Sequence, residues 1–294
     1  MGVNIGGFLA PLICGTLGEY YGWHWGFGAA GVGMLAGLVI YLAGGKYLPK
    51  EQSRTIEPEE KASTLTRPGT FALLLGIALS VTVFRGAYEQ TGNTVAFWAG
   101  SGVDRAVGPW IIPMTWFQSL NPLLVMVMTP FLLARWQRKA AAGQEHSPIQ
   151  KMAIGAAIVA LSYLLLAAAS GLSGGQAASW LWLAGFFLVL TLGELYILPN
   201  GLGLFARLAP PRFGATTVAA WYLAIFGGSL FAGLVGSLWS RLAHPAFFLL
   251  LAAIAATASG LLLLLDRPGR RILAATAEAE KPLPPERPAP ASTT

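Results

Sequence analysis

One cysteine, Cys14, occurs in 294 residues, which excludes a disulfide framework and a cysteine-built metal site. Histidine is almost as scarce: His24, His146 and His244 are scattered among predicted loops and helix ends, without zinc-ligand spacing. No nucleophile–base pair or phosphate-cradling loop accompanies them, and glycine-rich runs such as the one from Gly31 to Met34 lack the strand that a dinucleotide site requires. No cofactor, metal or enzymatic reaction is therefore expected. Charge is the scarcest property. Only 11% of residues are Asp, Glu, Lys or Arg, against 55% hydrophobic residues and a mean hydropathy of +0.60. This is the composition of an integral membrane protein, not of a soluble domain. The formal charge of +6 does not signal nucleic acid, because the basic residues fall in the connections between apolar spans.

Hydropathy gives about eight candidate spans, near 2–17, 25–44, 71–98, 110–134, 152–170, 180–206, 216–239 and 246–265. Lipid offers backbone groups no partner, so each is read as a helix and the chain as an all-α, polytopic membrane protein. The first span begins directly after Met1 and has about 16 apolar residues, short of the roughly 20 that cross a bilayer. It lacks a basic n-region, which argues against a signal peptide, and is expected to be a helix truncated at its start. Basic residues cluster after the even-numbered spans: Lys46, Lys50, Arg54, Lys61 and Arg67; Arg135, Arg138, Lys139 and Lys151; Arg207 and Arg212; Arg267, Arg270 and Arg271. Only Arg105 and Arg241 lie on the opposite side, so the even-numbered exits and the C-terminus are expected to be cytoplasmic.

Residues 1–45 then read as the last two helices of an incomplete first bundle, 46–68 as a cytoplasmic linker and 69–266 as a six-helix bundle. Residues 267–294, poor in apolar side chains, read as a largely disordered cytoplasmic tail.

The chemistry sits where charge interrupts the apolar runs. Between Trp180 and Arg207 the sole charged residue is Glu194, roughly 20 Å from either end at helical rise. An unpaired carboxylate there costs on the order of 3 kcal/mol, so it should face a protein interior or watery cavity. The functional reading is movement of an ion or substrate; the alternative is a packing hydrogen bond to a neighbouring helix. Pro199, one turn on, frees the Leu195 carbonyl and kinks the helix. In the third span Arg85 and Glu89, four apart, share a face, followed by Gln90, Gly92 and Asn93. They form either a structural ion pair or a gate whose carboxylate changes partner. In the fourth span Gln118, Ser119 and Asn121 precede Pro122, and Asn121 lies about 11 residues from Trp110, near the midplane. Its amide either satisfies the backbone broken at Pro122 or binds a polar substrate.

Together these stretches resemble a known family. Val3-Asn4-Ile5-Gly6-Gly7-Phe8-Leu9-Ala10-Pro11, with Gly22-Trp23-His24-Trp25-Gly26, resembles helices five and six of the proton-dependent oligopeptide transporters of the major facilitator superfamily. Tyr88-Glu89-Gln90, Gln118-Ser119-Leu120-Asn121-Pro122, and Gly193-Glu194-Leu195-Tyr196 with Pro199 resemble that family's motifs in helices seven, eight and ten. The resemblance runs in order from about Gly2 to Leu265. It implies a facilitator-type helix bundle working by alternating access, with di- or tripeptides carried in symport with protons across a bacterial inner membrane.

On the same resemblance Glu194, Asn121, Tyr88 and Gln118 are substrate-site residues. Glu89, Arg85 and Glu194 serve the gate and proton coupling, and Pro122 and Pro199 are helix kinks. The implied partners are the bilayer, a small peptide, protons and the N-terminal helices absent from this chain, without which transport is not expected. The chain departs from the family in lacking the acidic-and-arginine motif of helix one and the basic residue of helix four. Arg85 replaces a common aromatic residue. That departure keeps a second substrate class open, a small solute such as nitrate. A non-transporting assembly protein is the reading from another class, and convergence of Glu89, Asn121 and Glu194 on one cavity discriminates against it.

Overall fold

A computed structural model describes residues 1–47, 68–208 and 214–279. Most of the linker and of the tail expected from the sequence, together with Arg212, lies outside the described residues. The chain opens with α1 (Gly2–Ala10), a π-helical turn (Pro11–Gly15) and α2 (Thr16–Tyr21), which follow one another as a single interrupted rod. Pro11 has no N–H to give, and the ladder widens at that point rather than stopping. Gly22, at φ 107°, turns the chain into α3 (Trp23–Gly44). Then follow α4 (Pro68–Tyr88), a 3-10 turn (Glu89–Gly92) and α5 (Thr94–Ser101). Long helices α6 (Trp116–Ala141), α7 (Pro148–Leu172), α8 (Trp180–Leu208), α9 (Gly214–Gly236) and α10 (His244–Ala279) complete the bundle.

Seven helical stretches among the described residues are long and apolar enough to cross a membrane, and the interrupted α1–α2 rod occupies the place of the eighth expected span. The chain is a multi-pass membrane protein. The third span is broken, not continuous: Asn93, at φ −117° and ψ −98°, leaves the helical region after the 3-10 turn. The fourth begins at Trp116 rather than 110, because Pro109 and Pro113 flank a short extended segment. That segment belongs to two small sheets the hydropathy reading did not contain. β1 (Val103–Asp104) pairs in parallel with β4 (Ala178–Ser179), and β2 (Ala106–Val107) pairs antiparallel with β3 (Trp110–Ile111). The last helix overruns its expected end. Pro268 costs it one backbone bond, yet α10 continues to Ala279, so the stretch after 266 is helical as far as it is described.

The core sits on α7, which packs between α8 and α10. Met152, Ala156, Val159, Tyr163 and Leu166 are sealed from the surface. α4 lies between α9 and α10, and α6 packs against α8 on one side and α1 on the other. Without a hydrophobic drive between helices in lipid, close backbone approach and hydrogen bonds supply the association. Ser259 Oγ donates to the Ala153 carbonyl at 2.8 Å, and Thr82 Oγ1 to the Ala224 carbonyl at 3.1 Å. Where α7 crosses α8, a methyl on Gly155 would lie 2.6 Å from the Gly193 carbonyl, and one on Gly193 2.6 Å from the Gly155 carbonyl.

The start of α7, two turns before Gly155, is fastened by charge. Ser147 caps its first turn, accepting from the Gln150 N–H at 3.0 Å, and hydrogen-bonds Asp266, which is itself paired with Arg270. Lys151 Nζ lies 2.8 Å from Glu145 and 4.8 Å from the centre of the Trp136 ring. The hydrogen bond from Lys151 holds the Glu145 carboxyl below the usual carboxylate range.

Gly155→Ala is expected to force α7 and α8 apart, its methyl meeting the Gly193 carbonyl and the Tyr196 and Ile197 side chains, costing about 1–3 kcal/mol. A fall in the thermal unfolding midpoint in detergent, with Gly203→Ala as the open-space comparison, measures it.

Candidate functional site

Glu194 lies halfway along α8, and Thr191 precedes it by three residues on the same face. From α6, Asn121 Nδ2 donates to Glu194 Oε2 at 2.5 Å and lies 3.1 Å from Thr191 Oγ1. The start of α6 at Trp116 places Asn121 only six residues into its helix. It meets the fifteenth residue of α8, so α6 begins well inside the depth that α8 spans. From α4, the Tyr88 phenol is turned to the same carboxylate and interacts with it. Three helices thus converge on one half-buried carboxylate, and none contributes more than one or two of its polar groups.

Tyr88 links this group to a second one. The Arg85 guanidinium carbon stands 5.0 Å from the Tyr88 ring centre, a cation over a π face. Arg85 pairs with Glu89 one turn on, and Ser229 of α9 donates to the same Glu89 oxygen at 3.5 Å. Arg85 Nε is buried and has no hydrogen-bond partner among the described residues. Gly228 makes room for this side chain: a methyl there would lie 2.2 Å from Arg85 Cβ.

The end of α4 that carries these residues is held from two sides. Tyr163 of α7, fully buried, donates to the Ala87 carbonyl at 2.6 Å. Gln90, also fully buried, donates to the Ala232 carbonyl of α9 at 2.7 Å and accepts from Thr94 Oγ1 at 2.9 Å.

Of the residues marked in the sequence, Glu194, Asn121 and Tyr88 meet directly, and Arg85 and Glu89 join them through the Tyr88 ring. Gln118 does not reach this group; its Nε2 donates to the Thr91 carbonyl at 2.8 Å, tying α6 to the 3-10 turn. Pro122 and Pro199 lie inside α6 and α8, and Gly7 of α1 sits against the Pro122 ring. The sequence reading missed Thr191, although its three-residue offset from Glu194 marks the shared face. It also passed over Tyr163, Ser229 and Glu19.

With the geometry in place, comparison with known proteins identifies the chain's relatives. The model of the POT family matches residues 1–67 and 70–250. The chain belongs to the POT family. Peptide transporter YePEPT of Yersinia enterocolitica is 30% identical over 80% of this chain and 59% of its own length. Uncharacterized transporter YclF of Bacillus subtilis is 29% identical over 90% of this chain and 65% of its own. The chain therefore spans less than two thirds of the length of these relatives. A crystal structure of peptide transporter POT in complex with sulfate superposes with a TM-score of 0.79 at 24% identity, covering 92% of this chain and 67% of that one. That likeness establishes a POT-type helical bundle.

Removing the Asn121 amide leaves the Glu194 carboxylate short of a donor. A double-mutant cycle of Asn121→Ala and Glu194→Gln, read by thermal unfolding in detergent, should give a coupling of about 1.5–3 kcal/mol, the size of a hydrogen bond to a charged group.

Proposed function

We propose that this chain forms the amine-binding side of a carrier that moves di- and tripeptides in symport with protons by alternating access. One observation carries the reading: Glu194, at mid-span, is held by groups from two other helices rather than by a fixed cation. A carboxylate arranged this way has exchangeable partners. A peptide ammonium can replace Asn121 and Tyr88 as its donor, and a proton can neutralise it when no ligand is present. Asn121 and Tyr88 then orient the bound amine, while Glu89 and Arg85 form a neighbouring charge pair that serves the gate. Gln118 supports the α6–α4 contact beside the ligand. The inward proton gradient is the energy source, and no cofactor takes part.

Matches to Peptide transporter YePEPT and to a Di-/tripeptide transporter of Lactococcus lactis support this substrate class. Arg85 favours a second reading, transport of an anionic solute, because it sets a partly buried cation beside the site.

The protein works in a bacterial inner membrane with its C-terminus in the cytoplasm; family membership supports the membrane, and the asymmetry of basic residues between its two faces supports the orientation. A reporter fused after Thr294 that is active only in the cytoplasm should be active; activity of a periplasm-only reporter at that position overturns the orientation.

For transport itself, the complete gene product that carries this chain is reconstituted in liposomes. Dipeptide uptake is expected to rise with an inward proton gradient and to fall to background in Glu194→Gln. Uptake that ignores the gradient, or survives the substitution, removes Glu194 from the centre of the mechanism. Uptake of an anionic solute without any peptide uptake favours the second reading.

A further inference from the structure

The rod formed by α1 and α2, packed against α3 on one side, meets α6 and the segment leading into it on another. Ser119 Oγ donates to the Phe8 carbonyl at 2.8 Å, Trp116 Nε1 to Thr16 Oγ1 at 2.8 Å, and Tyr20 OH to the Ile111 carbonyl at 3.3 Å. The densest part of this seam is a single side chain. Glu19 Oε1 accepts from the Thr115 N–H at 3.1 Å and from Thr115 Oγ1 at 3.0 Å, while Oε2 accepts from the Met114 N–H at 3.1 Å. Arg105 Nη1 stands 3.5 Å from Oε2 and donates to the Ile112 carbonyl at 2.7 Å.

Two of these donors are backbone N–H groups at the start of α6, which have no carbonyl of their own helix to reach. The positive end of the helix dipole adds to their pull on a carboxylate. A matching notch lies one turn back along the rod. Gly15 leaves just enough room for Thr115, whose Oγ1 would be 2.2 Å from any methyl placed there.

We infer that Glu19 is the latch holding this end of the molecule closed, and that its release from the start of α6 opens the Glu194 site toward the face carrying residues 105–116. The inference rests on the reading of the chain as an alternating-access carrier. An anionic acceptor suits a reversible latch. It gathers three or four donors in the closed state, and water entering the opened cavity takes its place on each of them when the seam parts. Gln in its place keeps the shape but loses the charge and turns an amide donor toward N–H groups that need an acceptor.

The test uses the complete gene product in detergent, in a background without other cysteines, with spin labels at Tyr21→Cys and Val107→Cys. Both positions are exposed and flank the seam. Without the latch substitution, one short distance should dominate. Glu19→Gln is expected to raise the longer-distance population on the order of tenfold, corresponding to the loss of one charge-assisted hydrogen bond. Gly15→Ala, which leaves the carboxylate intact but wedges Thr115 away, should do the same. If Glu19 merely caps α6, the unfolding temperature falls while the distance stays short in both folded variants, and the latch is overturned. Should Glu19→Gln fail to fold, Gly15→Ala alone decides. Peptide uptake is measured on the unsubstituted protein reconstituted in liposomes, so a failed transport reading is recognised separately from a failed latch.

Discussion

A carboxylate inside a membrane must receive its hydrogen bonds from protein, because lipid supplies none. That constraint organises the centre of this molecule. Glu194 is served by Asn121 of α6 and by the Tyr88 phenol of α4, so α8 cannot take an arbitrary depth or rotation relative to either helix. Its neighbour in sequence helps to set both. Gly193 meets Gly155 backbone to backbone, which brings α8 against the most buried helix of the bundle and fixes the height at which the next residue projects. The same two positions therefore do structural and chemical work, glycine by what it omits and glutamate by what it requires.

The polar groups away from the centre follow a different logic. Near the ends of the helices they fasten one element to another: Ser147 to Asp266, Lys151 to Glu145, Gln118 to Thr91. Each is satisfied within the molecule; the first and third join segments whose apolar surfaces alone would slide in lipid, and the second ties the start of α7 to the connection before it. α3 is the contrast. Past its first turns it presents Val32, Met34, Leu35 and Ile40 outward, all more than three-fifths exposed, which is the surface of a helix facing lipid or another helix.

How much of this was legible in the sequence depended on whether a residue was unusual where it stood. Glu194 was visible because it is alone among apolar neighbours, and Asn121 because a proline follows it. Arg85 and Glu89 were visible from their four-residue spacing. Thr191 was not, since a threonine in an apolar helix usually bonds its own backbone and only the fold brings Asn121 to it. Glu19 sat at a helix end beside tyrosines, where a charge draws no notice; its significance comes from Met114 and Thr115, nearly a hundred residues away. The break after Glu89 and the late start of α6 were both marked, by Gly92-Asn93 and by Pro109 and Pro113. Hydropathy averaged over a window conceals such punctuation, because the residues around it remain apolar.

The two charged groups of the site differ in how they are tied. Asn121 and Glu194 belong to separate helices, so a shear of an ångström or so between α6 and α8 lengthens their contact beyond hydrogen-bonding range. Arg85 and Glu89 ride on consecutive turns at the end of one helix. Rigid-body motion of α4 carries both partners together and leaves their separation unchanged. One pair therefore registers mechanical displacement, while the other is insensitive to it and is parted only by a change in charge or by a competing ion. A bundle holding both kinds of tie beside a single tyrosine ring can respond separately to movement and to chemistry.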